Sequence, residues 1–519
     1  MALRLKPFRN EPHLDFSKPE NVRKQRKAIE EVRKQLGQEY PNLIDGKEVY
    51  NREKLPSFNP AHPHEVIGVF QKATQRDAER ALQAAWRAFE EWKRVPAEER
   101  AQYLLKAAQE MRRRRLELNA WMICEVGKNY AEADADTCEA IDFLEYYARE
   151  AIRYAQPQPV TPVPGERNEY FYIPLGAGVI IPPWNFPLAI LTGMTSAAIA
   201  AGNTVVVKPS SESPMMGWLL ADIFRSVGLP DGVLNLVIGS GSNIGDFLVA
   251  HPRTRFIAFT GSMEVGLHIH ELAAKRQPGQ LWIKRTILEM GGKDAIIVDS
   301  EADLDAAVQG VVVSAYGYQG QKCSACSRAI VDKAVYEEFL HRLKPAVHAL
   351  RIGDPADNFD VGPVISERAK ESILSYIAIG KKEAKLFLGG NPVGDLDGHY
   401  IEPTVFVNVP PRARIAQEEI FGPVLAVIKA NSFVDALRIA NGTIYGLTGS
   451  VYSRNPDKLR MAREEFHVGN LYFNRKCTGA LVGGHPFGGF NMSGTDSKAG
   501  GPDYLLLFLQ GKSVSEKLT

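Results

Sequence analysis

Gly178-Val179-Ile180-Ile181 is the first of four short apolar runs, followed by Thr204-Val205-Val206-Val207, Val233-Leu234-Asn235-Leu236-Val237 and Phe256-Ile257-Ala258-Phe259. Each is nearly continuous rather than alternating in polarity, the pattern of a strand buried on both faces by crossover helices. The region therefore reads as a parallel α/β sheet, whose ligands bind outside the carboxyl ends of the strands. A second α/β region extends over about 291–475, with strands near 295–298, 329–331 and 424–428. The span 170–207 has no charged residue, yet Pro174, Pro182, Pro183, Asn185, Pro187 and Asn203 break it, so it reads as strand, turn, helix and strand rather than a membrane span.

Amino-terminal to the sheet, amphipathic spacing predicts helices near 19–38, over 77–95 and 97–128, and around 141–147, so the first third reads as largely helical. Pro157, Pro159, Pro162 and Pro164, followed by Glu169-Tyr170-Phe171-Tyr172-Ile173, predict an extended hairpin of the kind that pairs with another chain. The tail Tyr504-Leu505-Leu506-Leu507-Phe508-Leu509 reads as a strand able to join that hairpin in a neighbouring subunit.

The 519 residues carry a formal charge of +1, which offers no electrostatic case for nucleic acid or an anionic membrane as partner. The run Arg112-Arg113-Arg114-Arg115 reads as a solvated helix face, with a phosphate or subunit contact as the alternative. Five cysteines are too few and odd in number for a disulfide framework, and the first residues lack a secretory apolar core, so a cytoplasmic location is expected. Cys323 and Cys326 form a C-x-x-C without further ligands at metal spacing, and no metal site is expected.

Several segments at the sheet edges could carry chemistry. Cys323, in Gly320-Gln321-Lys322-Cys323-Ser324-Ala325-Cys326, is a nucleophile if Lys322 or a helix N-terminus favours its thiolate, or a small buried apolar residue if not. Asn185, in Pro183-Trp184-Asn185-Phe186-Pro187, could donate to an oxyanion or cap the next helix through an Asx turn. Glu289, before Met290-Gly291-Gly292-Lys293, is a general base if burial raises its pKa, or a partner of Lys293. Lys208, before Pro209-Ser210-Ser211, could bind a ribose or be a solvated strand-end charge. The loop from Gly239 through Gly241 to Gly245 is one residue too long for the usual dinucleotide fingerprint, and Thr260-Gly261-Ser262 could meet a phosphate or be an ordinary turn.

Together these segments, with Glu419-Ile420-Phe421-Gly422-Pro423 and Pro486-Phe487-Gly488-Gly489, resemble the aldehyde dehydrogenase superfamily over nearly the whole chain and in the family's order. The resemblance implies a Rossmann-like cofactor domain (1–154 and 176–288), an α/β catalytic domain (289–494) and a small β oligomerisation flap (155–175 and 495–519). It implies Cys323 as the acylated nucleophile, Asn185 and the Cys323 N–H as oxyanion donors, and Glu289 as activator of the hydrolytic water. NAD would be held by Pro183, Trp184, Lys208, Ser211, Gly241, Gly245, Thr260, Gly261, Ser262 and Gly291, with Glu419 on a ribose and Phe421 at the nicotinamide end.

Within the superfamily, Ala140-Ile141-Asp142-Phe143, Glu145-Tyr146-Tyr147-Ala148 and the run from Asn474 through Gly479-Ala480 to Gly483 resemble the branch that oxidises L-glutamate γ-semialdehyde, the open form of 1-pyrroline-5-carboxylate. That resemblance implies a substrate carboxylate on Ser324, Gly479 and Ala480, an α-amino group near Glu139, Phe186 and Phe487 around the aliphatic part, and Lys322 beside the substrate. It further implies a homo-oligomer, dimer or higher, and a functional link to proline dehydrogenase. One departure concerns Ser211, which stands where many NAD-preferring relatives have a glutamate; a serine does not repel a 2′-phosphate, so NADP should be tolerated. The alternatives are a dehydrogenase for another semialdehyde such as succinate semialdehyde, a non-catalytic superfamily member, or a cysteine hydrolase, for which no matched histidine motif is present.

Overall fold

The computed structural model describes residues 5–518, and two seven-stranded sheets organise them. The four apolar runs are strands Ala177–Ile181, Thr204–Val207, Leu234–Leu236 and Phe256–Thr260, joined by Arg285–Glu289. All pairings among them are parallel. From Ala177–Ile181 the chain adds Thr204–Val207 and Leu234–Leu236 on one side, then returns to add Phe256–Thr260 and Arg285–Glu289 on the other. The reversal point lies between Ala177–Ile181 and Phe256–Thr260, and it opens a crevice at their carboxyl ends.

The second sheet contains Asp294–Val298, Cys326–Asp332, Thr404–Val407, Val424–Ala430, Thr448–Tyr452 and Asn470–Phe473, with Lys385–Leu388 antiparallel at one edge. Separate apolar clusters cover its two faces, one including Phe406, Ile428 and Phe433, the other Phe339, Leu343 and Cys326. Burial on both faces explains why these strands read as unbroken apolar runs.

The helices form where the apolar periodicity places them, and their ends are chemically marked. Gln75–Trp92 starts at a Thr74/Asp77 capping box and Tyr130–Tyr154 at an Asn129/Glu132 capping box. The expected helix over 97–128 is two, Ala97–Arg113 and Arg115–Val126, broken at Arg114, whose guanidinium pairs with Glu117 and Asp222. The other three arginines of the basic run are paired as well, Arg112 with Glu11 and Glu145, Arg113 with Glu110 and Arg115 with Asp134, so their charge is spent within the protein.

Two expectations need correction. The first third is not uniformly helical: Lys54–Asn59 and His62–Gln71 form an antiparallel pair, and Asn42–Ile44 and Lys47–Val49 form a hairpin that extends the first sheet. Its turn is Asp45-Gly46, with φ of 55° and 71°, the positive values a two-residue hairpin requires. Secondly, the expected hairpin is held locally by a single antiparallel bridge, Gln158 to Tyr170, and the main partner of segment 166–174 lies elsewhere in the chain. Glu166–Pro174 pairs over its whole length with Leu509–Lys517 of the same chain, while Tyr504–Phe508, expected as strand, is a 3₁₀ helix. No helix among the described residues is long and apolar enough to cross a membrane.

Candidate active site

A cavity of about 110 Å³ opens where the carboxyl ends of the first sheet face the second, and Cys323, Glu289, Ser324, Phe186, Phe487, Glu139, Gly479 and Ala480 all line it. Sequence-distant candidates thus meet in one place.

Cys323 lies in the turn that follows the 3₁₀ segment Gly317–Gly320 and precedes strand Cys326–Asp332, and it is half-buried. The close approach of the base-bearing strand requires glycine: a Cβ on Gly292 would sit 2.6 Å from the Cys323 carbonyl oxygen. The expected thiolate activation by Lys322 or a helix N-terminus is not what the fold supplies. Cys323 does not begin a helix, and its thiol is raised well above the usual range, first by burial and then by the carboxyls of Asp294, Glu419 and Glu289. The thiol is therefore protonated at neutral pH and becomes nucleophilic only as its proton leaves.

Asn185 follows strand Ala177–Ile181 and is buried, and its Nδ2 donates to the Gln321 carbonyl at 3.0 Å. That bond ties the amide to the cysteine turn rather than to an Asx turn, and it leaves one N–H of the same nitrogen free. The Cys323 N–H has no acceptor among the described residues. Two donors are thus held ready for an oxyanion formed on a carbonyl attached to Cys323. Asn185→Ala is expected to lower kcat about 10²- to 10³-fold, measured as NADH formation, with titratable thiol content unchanged.

Glu289 ends strand Arg285–Glu289 and does not pair with Lys293, whose Nζ has no partner among the described residues. Its Oε1 accepts the Ser497 hydroxyl, and its buried Oε2 has no partner among them. Burial pushes the carboxyl up to about 8, against the lowering effect of Ser497. A carboxyl with one oxygen anchored, one free and a pKa near neutral suits a base that activates water. Ser497 was not legible in the sequence, because it lies in an irregular segment without a spacing pattern.

The cofactor candidates gather at the strand ends beside the crevice. Lys208, at the end of Thr204–Val207, is buried, and its Nζ donates to the carbonyls of Gly239 and Pro209 at 3.0 and 3.2 Å. Burial lowers it to about 8, and no carboxylate among the described residues pairs with it, so the solvated strand-end reading fails and a third N–H remains for a ligand. Gly245 lies against its aliphatic stem, where a Cβ would sit 3.5 Å from Lys208 Cε, while a Cβ on Gly241 would meet nothing within 4 Å. Glu419 Oε1 accepts the Gly292 N–H at 3.0 Å, and a Cβ on Gly291 would collide with that carboxylate at 2.1 Å. Phe421, at φ 57°, packs edge-on against Trp184. Ser262 caps helix Met263–Ala274, and the Gly261 N–H donates to the Glu289 carbonyl, so this turn is fixed to the strand bearing the base. Ser211 is partly exposed, with Glu212 beside it at the surface.

At the substrate end, Phe186 is backed by the buried pair Lys128 and Asp136, with the ammonium 4.1 Å from the ring centroid. Glu139 is raised to about 8 by burial and the neighbouring Asp136, against the attraction of Lys128. Lys322 does not line this cavity: its ammonium lies beside Gly317 on the Glu132 side. Phe143, Met194, His485 and Tyr504 line the cavity without having been singled out. Tyr504 was hidden by the strand reading of the tail; Phe143 lay in a segment quoted for its resemblance without a role of its own, and Met194 and His485 belonged to no motif. Cys326 is buried with Cys477 in the core behind the site, and all five cysteines are free thiols.

A half-buried thiol, two N–H donors without acceptors and a buried carboxyl beside a dinucleotide-type crevice are the groups that aldehyde oxidation calls for, and the chain belongs to the aldehyde dehydrogenase family, whose model matches residues 48–514. It is 55% identical over 513 residues, 99% of each chain, to 1-pyrroline-5-carboxylate dehydrogenase of Geobacillus thermodenitrificans. Among solved structures, 1-pyrroline-5-carboxylate dehydrogenase from Thermus with bound NAD is 55% identical, with a TM-score of 0.98 over 99% of this chain and 100% of that one. Proline utilization A from Bdellovibrio bacteriovorus is 46% identical, with a TM-score of 0.97 over 99% of this chain and 54% of that one.

Proposed function

We propose that the chain oxidises L-glutamate γ-semialdehyde, the open form of 1-pyrroline-5-carboxylate, to L-glutamate with NAD. The observation that carries the reading is a single cavity lined together by Cys323, Glu289, Ser324, Gly479 and Ala480. An aldehyde held at the thiol thus shares its cavity with Ser324 and a glycine-containing turn, groups suited to its α-carboxylate. The 55% identity to full-length relatives of that name supports the same substrate.

In this reading the Cys323 sulfur adds to the aldehyde carbon as the thiol proton leaves to solvent, giving a thiohemiacetal. Its oxyanion accepts from the free Asn185 N–H and the Cys323 N–H. NAD, when bound, supplies the acceptor for the hydride that leaves the same carbon. The thioester left on Cys323 is attacked by a water whose proton passes to Glu289, the carbon–sulfur bond breaks, and glutamate and the cysteine are released. Lys208 and Glu419 would hold the two riboses, Phe421 and Trp184 would wall the nicotinamide end, and Glu139 would receive the α-amino group. Residues 1–154 and 176–288 serve as cofactor domain and 289–494 as catalytic domain, and the ribbon 166–174 with 509–517 pairs copies of the chain. A proline dehydrogenase supplies the substrate.

The test is NADH and glutamate formation from 1-pyrroline-5-carboxylate beside succinate semialdehyde. Equimolar NADH and glutamate, with little turnover of succinate semialdehyde, are expected; the converse preference contradicts the reading. Because Ser211 presents no carboxylate, NADP should also turn over, and Ser211→Glu should cut kcat/KM for NADP about tenfold or more with NAD little changed. The absence of any NADP turnover in the parent protein contradicts that assignment.

A further inference from the structure

The loop that closes the far end of the cavity carries an arginine that no step above uses. Arg475 follows strand Asn470–Phe473, and its guanidinium lies over the Tyr472 ring, 4.3 Å from the centroid. Its Nη2 donates to the carbonyl oxygens of Thr478 and Gly479, both at 3.0 Å. In a planar trans peptide the C=O and N–H of one unit point in opposite directions. Carbonyls 478 and 479 are drawn back to the guanidinium, so the N–H groups of Gly479 and Ala480 are aimed away from it. Both residues line the cavity. Gly479 reaches this arrangement with φ 74°, and successive N–H groups converging through a left-handed residue form an anion-binding concavity.

The neighbouring bonds limit that concavity to two donors. Neither the Gly479 nor the Ala480 N–H has an acceptor among the described residues. The next, that of Leu481, donates to His485 Nδ1 at 3.1 Å. Beyond it, Asn10 Nδ2 donates to the Val482 carbonyl at 3.0 Å and to Asp142 at 2.8 Å, which ties the loop's far side to helix Tyr130–Tyr154.

We propose that Arg475 is a positioning residue that sets specificity for aldehydes bearing an α-carboxylate, by orienting the Gly479 and Ala480 N–H groups toward that carboxylate. It grips the loop from behind rather than touching the substrate, and its fixed charge adds attraction for an anion bound on the other side. The proposal rests on the substrate reading given above.

The experiment measures NADH formation from glutamate γ-semialdehyde and from butanal, which has no carboxylate, in the parent protein, Arg475→Met and Arg475→Lys. Arg475→Met is expected to raise KM for the semialdehyde about 10- to 100-fold, with KM for NAD and for butanal changed by less than about twofold. Arg475→Lys should recover part of the loss, because lysine keeps the charge and the donor hydrogens but lacks the planar guanidinium that lies over the Tyr472 ring and fixes the donors' direction. A purely structural role would raise KM for both aldehydes together, and that outcome, or an unchanged KM for the semialdehyde, overturns the proposal. If the methionine variant does not fold, the ratio of the two KM values in the lysine variant decides in the same way. A parent protein without preference for the semialdehyde defeats the substrate reading and the arginine's role with it. A preference that survives both substitutions defeats the arginine's role alone.

Discussion

Cys323→Ser is expected to lose NADH formation by about 10⁴-fold or more while keeping the fold and the binding of NAD. The side chain is half-buried at the wall of the cavity, so the substitution exchanges one small polar atom for another and creates no void. What it removes is a soft nucleophile whose thioester can be both formed and hydrolysed. A serine alkoxide is far harder to generate in a setting that already pushes the more acidic thiol well up, through burial and the carboxyls of Asp294, Glu419 and Glu289. NAD binding measured by calorimetry should be unchanged within error, and the steady-state rate should fall to background. Substantial turnover in the serine variant would place the acyl group elsewhere.

Glu289→Gln is expected to separate the two halves of the reaction. Glutamine keeps the size and can still accept from Ser497, but it cannot take a proton from water. Thioester hydrolysis should slow about 10²- to 10⁴-fold while one NADH per site still appears rapidly. The pH profile carries a second signature. The carboxyl is raised to about 8, so the basic form gains as pH rises and hydrolysis should increase up to about 8 and level off above it. Ser497→Ala removes a hydrogen bond that favours the carboxylate, so its inflection should move to higher pH. A profile in Ser497→Ala that shifts downward, or a glutamine variant with no first-turnover burst, contradicts the assignment.

The parallel sheet was legible because burial on both faces leaves an unbroken apolar signal, as in Thr204–Val207, where every residue is buried. The gathering of the candidate residues at the strand ends was legible because those motif segments need particular residues for reasons of space, as Gly291 does against the Glu419 carboxylate. Edge elements were harder to read. The hairpin of Asn42–Ile44 and Lys47–Val49 has strands of three residues, too short for periodicity, although Asp45-Gly46 carried its turn signal. Tyr504–Phe508 has a strand's composition but lies as a 3₁₀ turn packed on Phe256 and Tyr147, an outcome set by tertiary contacts. Lys322 was misplaced because adjacency in sequence to a nucleophile does not fix the direction of a side chain. Ser497 and Arg475 make loop contacts that only three-dimensional proximity reveals.

A glutamyl thioester on Cys323 is the intermediate on which the proposed reaction turns, and intact-protein and peptide mass spectrometry of Glu289→Gln mixed with 1-pyrroline-5-carboxylate and NAD detects it. One added glutamyl group per chain is expected, mapped to Cys323, formed in step with one NADH and absent from the Cys323→Ser, Glu289→Gln double variant. Rapid NADH formation with an unmodified Cys323, or an adduct on Cys326 or Cys477, would contradict it.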